Sequence, residues 1–274
     1  MEQSKIRNLF RMAVLVAVSV VAPLCAAAES NLSVSLGGEY TTGSYGTGTD
    51  TSIWYFPFWL SYDSDVTSFS ITVPYLIVEG PGNVIPTSND TPRGMPPGMG
   101  AMQVMRPGGV PPGAPTSTES GLGDVVLSGS MRLVAEASTQ PRVDLTGKIK
   151  LATADEDKNL GTGENDYAVQ LDLEKGIFFG YVGYRVYGDP PGINLDNVVY
   201  GLVGLSRPLD SATRAGVSLY AQQAAAAGTD KQLELNLFLS HQLAKGYQLR
   251  PYAIFGLSDG SPDWGVGVTL AMYR

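Results

Sequence analysis

The chain is poor in the residues that carry most protein chemistry. It has one cysteine and one histidine. Cys25 stands inside an N-terminal stretch that reads as a leader, so the mature protein is expected to have neither disulfide nor thiol chemistry. His241 has no Gly-x-Ser-x-Gly elbow, zinc-ligand cluster or phosphate loop to work with. Its neighbour Ser240 would point to the opposite face of a strand and could not serve as its nucleophile. An enzyme is therefore not expected, and neither cofactor nor metal is assigned. Positive charge is also scarce: 18 Lys and Arg against 26 Asp and Glu give a net charge of −8. That balance excludes the basic face that a nucleic-acid partner needs. After the leader there is no uncharged apolar run of the roughly 20 residues that a membrane helix requires.

The leader itself is legible. Lys5, Arg7 and Arg11 form a basic region, Met12 to Ala22 is apolar, and Ala26-Ala27-Ala28 supplies small residues for cleavage before Glu29. This pattern predicts a secretory signal peptide over 1–28, and one β domain over 29–274.

What fills the domain is alternation. In Val143-Asp144-Leu145-Thr146-Gly147-Lys148-Ile149-Lys150-Leu151 the odd positions are apolar or Gly and the even ones polar or charged. Tyr167 to Leu173 and Leu233 to Leu239 repeat the pattern. A strand puts successive side chains on opposite faces, so each segment has one apolar and one polar face. The pattern predicts strands near 32–41, 52–62, 66–79, 122–136, 141–153, 164–174, 177–187, 196–207, 212–223, 231–242, 246–257 and 263–273. The connections alternate between long and tight, as they do when a meander crosses an outer membrane. The expected fold is all-β: a transmembrane antiparallel up-and-down β-barrel of about 12 strands. A secreted β-sandwich would also alternate, but its connection lengths would follow no side-specific rule. Aromatics crowd the segments, among them Trp54, Trp59, Tyr62, Phe178 and Tyr247. Interfacial girdles use such residues, and so does ordinary strand propensity.

Three stretches are more specific. They are Ser120-Gly121-Leu122-Gly123-Asp124, the run Lys148 to Asp155 followed by Lys158 to Tyr167, and Tyr187-Gly188-Asp189-Pro190-Pro191-Gly192. Together they resemble the outer-membrane transporter family named for the meta-pathway of phenol degradation. The resemblance covers roughly 120 to 274, and implies a barrel with a transport role for small molecules.

If the apolar face meets lipid, the other face lines the interior. By parity the candidate lining comprises Arg132, Asp144, Lys148, Lys150, Asp172, Arg185, Arg214, Glu234 and Arg250. Two readings stay open for these charges. A cationic ladder would attract anionic solutes; alternatively the cations pair with Asp144, Asp172 and Glu234 and fill the lumen. The segment at about 80–121 is dense in Pro and Gly and carries Met95, Met99, Met102 and Met105. It is expected to be an irregular extracellular loop, with a constriction folded into the barrel mouth as the second reading.

The sequence thus points to an outer-membrane channel or transporter of a Gram-negative bacterium for passive or gated uptake of small solutes, aromatic or anionic compounds among them. The alternative is a non-transporting structural or cell-surface adhesion barrel. Expected partners are outer-membrane lipid and lipopolysaccharide, the outer-membrane assembly machinery, and a small-molecule solute.

Overall fold

The computed structural model describes residues 32–46, 49–82, 84–86, 103–105 (backbone only), 115–192 and 194–273. The expected signal peptide at 1–28, and Met95, Met99 and Met102, lie outside the described residues, as does the side chain of Met105.

Among the described residues fifteen strands follow one another: β1 (Leu32–Gly43), β2 (Thr51–Asp63), β3 (Thr67–Gly80), β4 (Val84–Pro86), β5 (Gln103–Met105), β6 (Ser117–Leu122), β7 (Val125–Val134), β8 (Arg142–Leu151), β9 (Asp166–Lys175), β10 (Phe178–Val186), β11 (Val198–Pro208), β12 (Thr213–Gln222), β13 (Gln232–Ala244), β14 (Tyr247–Gly256) and β15 (Trp264–Tyr273). Both β6 and β7 pair antiparallel with β3, so they are two halves of one wall strand. The wall therefore counts twelve strands, each paired antiparallel with its neighbours. It closes where β15 returns to β1, in register from Ser33↔Tyr273 to Thr42↔Trp264. Closure removes the unpaired edge that an open sheet would expose.

The two faces of the wall are chemically distinct. Val169, Leu171, Leu173, Val182, Val203, Leu205, Leu237, Leu239, Val266 and Val268 are exposed on the outside. Large apolar side chains exposed on every side are unstable in water and suit a hydrocarbon band. Near the long-loop end, Tyr40 lies 4.8 Å from Trp54 and 5.6 Å from Trp264, ring centre to ring centre, which makes an outward aromatic patch.

Turn chemistry fixes the tight end. Gly176 and Gly246 take left-handed backbone (φ 59° and 81°) in two-residue connections where a side chain would be strained. Asp210 Oδ1 accepts the Ala212 and Thr213 amides at 2.7 and 2.8 Å. Those bonds, the Ala212 one foremost, hold its carboxyl below the ordinary value.

Two details depart from the sequence expectation. The strand expected from 122 begins at Ser117, because Ser117–Leu122 pairs with Tyr75–Gly80 of β3. Its polar Ser-Thr-Glu-Ser composition reads as loop; cross-strand pairing overrides it. Within the segment expected to be wholly irregular, Val84–Pro86 and Gln103–Met105 form a two-stranded ladder, and Val84 and Ile85 are buried.

Candidate functional site

The cross-strand register carries side-chain parity around the barrel, because residues directly opposite in an antiparallel pair share a face. One row runs Arg132↔Asp144↔Asp172↔Tyr181↔Leu202↔Tyr220↔Glu234. A second runs Lys148↔Ala168↔Arg185. Lys150 stands opposite Asp166, Arg214 opposite Ser240, and Arg250 opposite Thr269. All nine sequence-selected residues fall on the inward face. Asp144, Lys150, Arg185 and Glu234 are buried; Arg132, Lys148, Asp172 and Arg250 are half-buried; Arg214 is exposed near the short-turn end.

The inward charges form separate clusters. At the long-loop end, Lys150 Nζ lies 3.0 Å from Asp124 Oδ2 and 2.9 Å from Asp166 Oδ2, and donates to Thr162 Oγ1 at 2.9 Å. Asp124 Oδ1 accepts the amides of Thr153 and Ala154, both at 3.0 Å, and Asp166 Oδ1 accepts the Gly188 amide at 3.1 Å. The cluster ties the break between β6 and β7 to the loops at 152–165 and 187–197. Lower in the barrel, Asp144 sits 2.6 Å from Arg142 Nε and 3.7 Å from Arg132 Nε. Asp172 accepts from Thr146 Oγ1 at 2.7 Å and from Gln170 Nε2 at 2.6 Å.

Three further cations donate to glutamine side chains. Lys148 reaches Gln170 Oε1 at 2.8 Å, Arg185 reaches Gln222 Oε1 at 3.3 Å, and Arg250 reaches Gln248 Oε1 at 2.8 Å. Arg185 also lies over the Tyr200 ring at 4.9 Å, a geometry that favours a cation. Of the acids named in the pairing reading, Asp144 has arginines beside it and Asp172 is held by Thr146 and Gln170. These two acids face each other directly, and Arg132 and Arg142 are the partners of Asp144.

The interior is not purely polar. Tyr181, Tyr200, Leu202, Tyr220, Phe238, Tyr252 and Ile254 form one buried cluster on β10–β14. Four inward rings lie flat across glycines of the adjoining strand. A Cβ on Gly183 would stand 2.4 Å from the Tyr200 ring, on Gly204 2.3 Å from Phe179, on Gly216 2.1 Å from Phe238, and on Gly267 2.2 Å from Tyr252. Only a glycine permits that approach, and it keeps the rings along the wall instead of across the lumen. Laid over Gly267, Tyr252 donates to Glu39 Oε2 at 2.7 Å. A second cluster joins Ile53, Tyr55, Trp59, Leu76 and Val78 of β2 and β3 to Tyr45, Val84 and Leu160 from the connections. Val84 and Leu160 are each 0% exposed, so residues from the long connections pack onto the inner wall of β2 and β3.

Arg142, Asp124, Asp166, Glu39, Gln170, Gln222 and Gln248 belong to this lining and were not among the sequence candidates. Arg142 and Asp166 share the even parity of their strands and were legible there. Asp124 sits at the strand break, where parity is undefined.

No protein-family model matches the chain, and no curated protein matches it. Solved structures do. The COG4313 outer membrane channel from Pseudomonas putida F1 is similar at a TM-score of 0.66 and 10% identity, over 89% of this chain and 96% of that one. The KdgM porin is similar at a TM-score of 0.49 and 9% identity, over 88% and 99%. The CymD monoaromatic hydrocarbon channel stands at a TM-score of 0.47 and 8% identity, over 90% and 89%. The barrel implied by the resemblance agrees with the first of these, while its meta-pathway naming gains nothing from them. At such identities the likeness is one of fold: this chain has the closed twelve-strand antiparallel architecture of an outer-membrane barrel.

Proposed function

We propose that this protein is an outer-membrane channel for passive or gated uptake of small solutes. One observation carries the reading: a closed wall with an apolar outer face encloses an inward face that carries charges, amides and hydroxyls among packed aromatic rings. A charged group facing hydrocarbon near the midplane costs about 2–4 kcal/mol for Arg or Lys, so the apolar face is the one that meets lipid. The nine inward residues, Arg132 to Arg250, are then pore-lining. Twelve strands also make a wall wider than the eight-stranded barrels that side chains fill. Aromatic rings lying along the wall, and cations among them, fit aromatic or anionic compounds as cargo. The long connections face outward, the tight turns face the periplasm, and 1–28 is the signal for export. Lipopolysaccharide and the assembly machinery are its partners in that membrane.

A second reading has one observation in its favour. The long-loop half of the interior is tightly packed, with Lys150, Leu160 and Val84 almost wholly buried. A non-transporting structural or adhesion barrel would be packed in this way, and so would a channel that is shut until gated. Conductance in planar bilayers separates them, with reversal potentials measured across a salt gradient. Discrete conductance steps, or solute flux in liposome swelling, support the channel. If neither is detected from folded protein, the structural barrel stands instead.

A further inference from the structure

One cluster on the inner wall has hydrogen-bonding capacity left over. Arg132 is on β7; Arg142 and Asp144 are on β8, two residues apart and so on one face. The ladder slips between Arg132 and Val134, where Asp144 is matched by Arg132 but Val143 by Val134. Bulges of this kind re-aim side chains and recur beside functional sites. Here the slip leaves Arg142 beyond the last matched pair of the β7–β8 ladder.

Asp144 lies between the two guanidinium groups, 2.6 Å from Arg142 Nε and 3.7 Å from Arg132 Nε. The arginine side chains keep 26% and 19% of their exposure, for Arg132 and Arg142. Arg142 Nε is met by its ion pair with Asp144 Oδ2. Arg132 Nε, Arg142 Nη2 and Asp144 Oδ1 are buried atoms without a hydrogen-bond partner, so two guanidinium donors and one carboxylate acceptor have no hydrogen bond within one cluster. Unmet polar atoms of this kind are costly in a folded protein, and a bound group is one way to meet them. A carboxylate matches paired guanidinium donors in charge and in planar geometry. A hydroxyl on the same solute would donate to Asp144 Oδ1.

The remaining charges set a limit on the solute. Asp172 stands opposite Asp144, and Glu174 opposite Arg142. Asp172 already accepts from Thr146 and Gln170, while Lys148 lies one row away, bonded to Gln170. Two flanking acids oppose a second negative charge on the ligand.

Resting on the channel reading, we propose that Arg132, Arg142 and Asp144 form a subsite for small hydroxy-monocarboxylates on the short-turn half of the inner wall. The carboxylate takes the guanidinium donors and the hydroxyl takes Asp144.

The test uses the full folded barrel, with lactate, propionate and succinate as probes. Calorimetry in detergent measures binding, and interruption of the KCl current in planar bilayers measures occupancy of the pore. Lactate is expected to bind more tightly than propionate, which lacks the hydroxyl, and more tightly than succinate. Arg142→Gln and Arg132→Gln should each weaken lactate about tenfold, the effect of losing one hydrogen bond to a charged group. Arg142→Lys, which keeps charge without the fork, should also weaken it. Lys158→Ala, at the far end of the barrel, should change nothing. Folding is checked by heat-modifiable migration in gels. Lactate binding unchanged in folded Arg142→Gln, or no binding by the wild type, overturns the subsite. If Arg142→Gln does not fold, Arg132→Gln and Arg142→Lys decide in its place. A wild type that binds lactate but conducts nothing refutes the channel reading and leaves the subsite supported.

Discussion

Replacing Lys150 by Met should cost the barrel about 3–5 kcal/mol, the usual consequence of removing one partner of a buried ion pair. The size follows from the surroundings. The Lys150 side chain is 1% exposed, and the carboxylates at 3.0 and 2.9 Å are 4% and 3% exposed. Without the ammonium, Asp124 and Asp166 are left in one site with no cation between them, and Thr162 Oγ1 loses one of its two donors, keeping the Glu164 amide at 3.4 Å. Methionine fills much of the lysine stem's volume, so the loss is electrostatic and not a cavity. Adding Asp124→Asn and Asp166→Asn to Lys150→Met should therefore restore most of the stability. The assay is reversible urea unfolding in lipid vesicles, with protease cutting within 152–165 as a local readout, since Asp124 and Lys150 together hold that loop. A loss below about 1 kcal/mol, typical of an exposed pair, would refute the reasoning. So would a triple variant no more stable than the single one.

Other outcomes follow from the same geometry. Gly216→Val should destabilise by about 1–3 kcal/mol through overpacking, because its Cβ would stand 2.1 Å from the Phe238 ring; the urea midpoint reads it. Leu237→Arg, on the outward face of β13, should cost about 2–4 kcal/mol in a bilayer; an unchanged free energy of unfolding in vesicles would contradict the lipid-facing assignment. Asp210 has its carboxyl held below the ordinary 3.8 by turn amides. Its contribution is complete above that ordinary value and is lost as pH falls through the lower folded one. Asp210→Ala should thus be less stable than wild type at neutral pH, and the two should converge in strong acid. Deleting 87–102 should leave heat-modifiable folding intact, since the wall strands pair without that segment; loss of the folded band would show otherwise.

Much of the wall was readable in advance because a strand has a period of two. Val143 to Leu151 alone distinguishes the outer face from the inner face, and every charge chosen by that parity lies inward. Reading failed where parity is interrupted or pairing overrides composition. Ser117–Glu119 looks like loop but is recruited by the edge of β3. Asp124 lies at the Gly123–Asp124 break and serves as a carboxylate partner of Lys150. Arg142, by contrast, carries the even parity of its strand and was legible there. The glycines were visible as composition, but their role under Tyr200, Phe238 and Tyr252 depends on which strand lies alongside.

The sequence by itself determined the class of fold: twelve amphipathic strands, their alternating long and tight connections, and the face each side chain takes within a strand. These are local properties, set by the pleat of a single strand and by turn residues. Only the tertiary structure decided who meets whom. The register placed Arg132, Asp144, Asp172 and Glu234 in one row and set Asp144 against Asp172. It brought Lys150 between two acids and left the Arg132–Arg142–Asp144 cluster with unfilled bonds. Pairing partners and ladder slips are relations between segments distant along the chain, and alternation within one segment carries no trace of them.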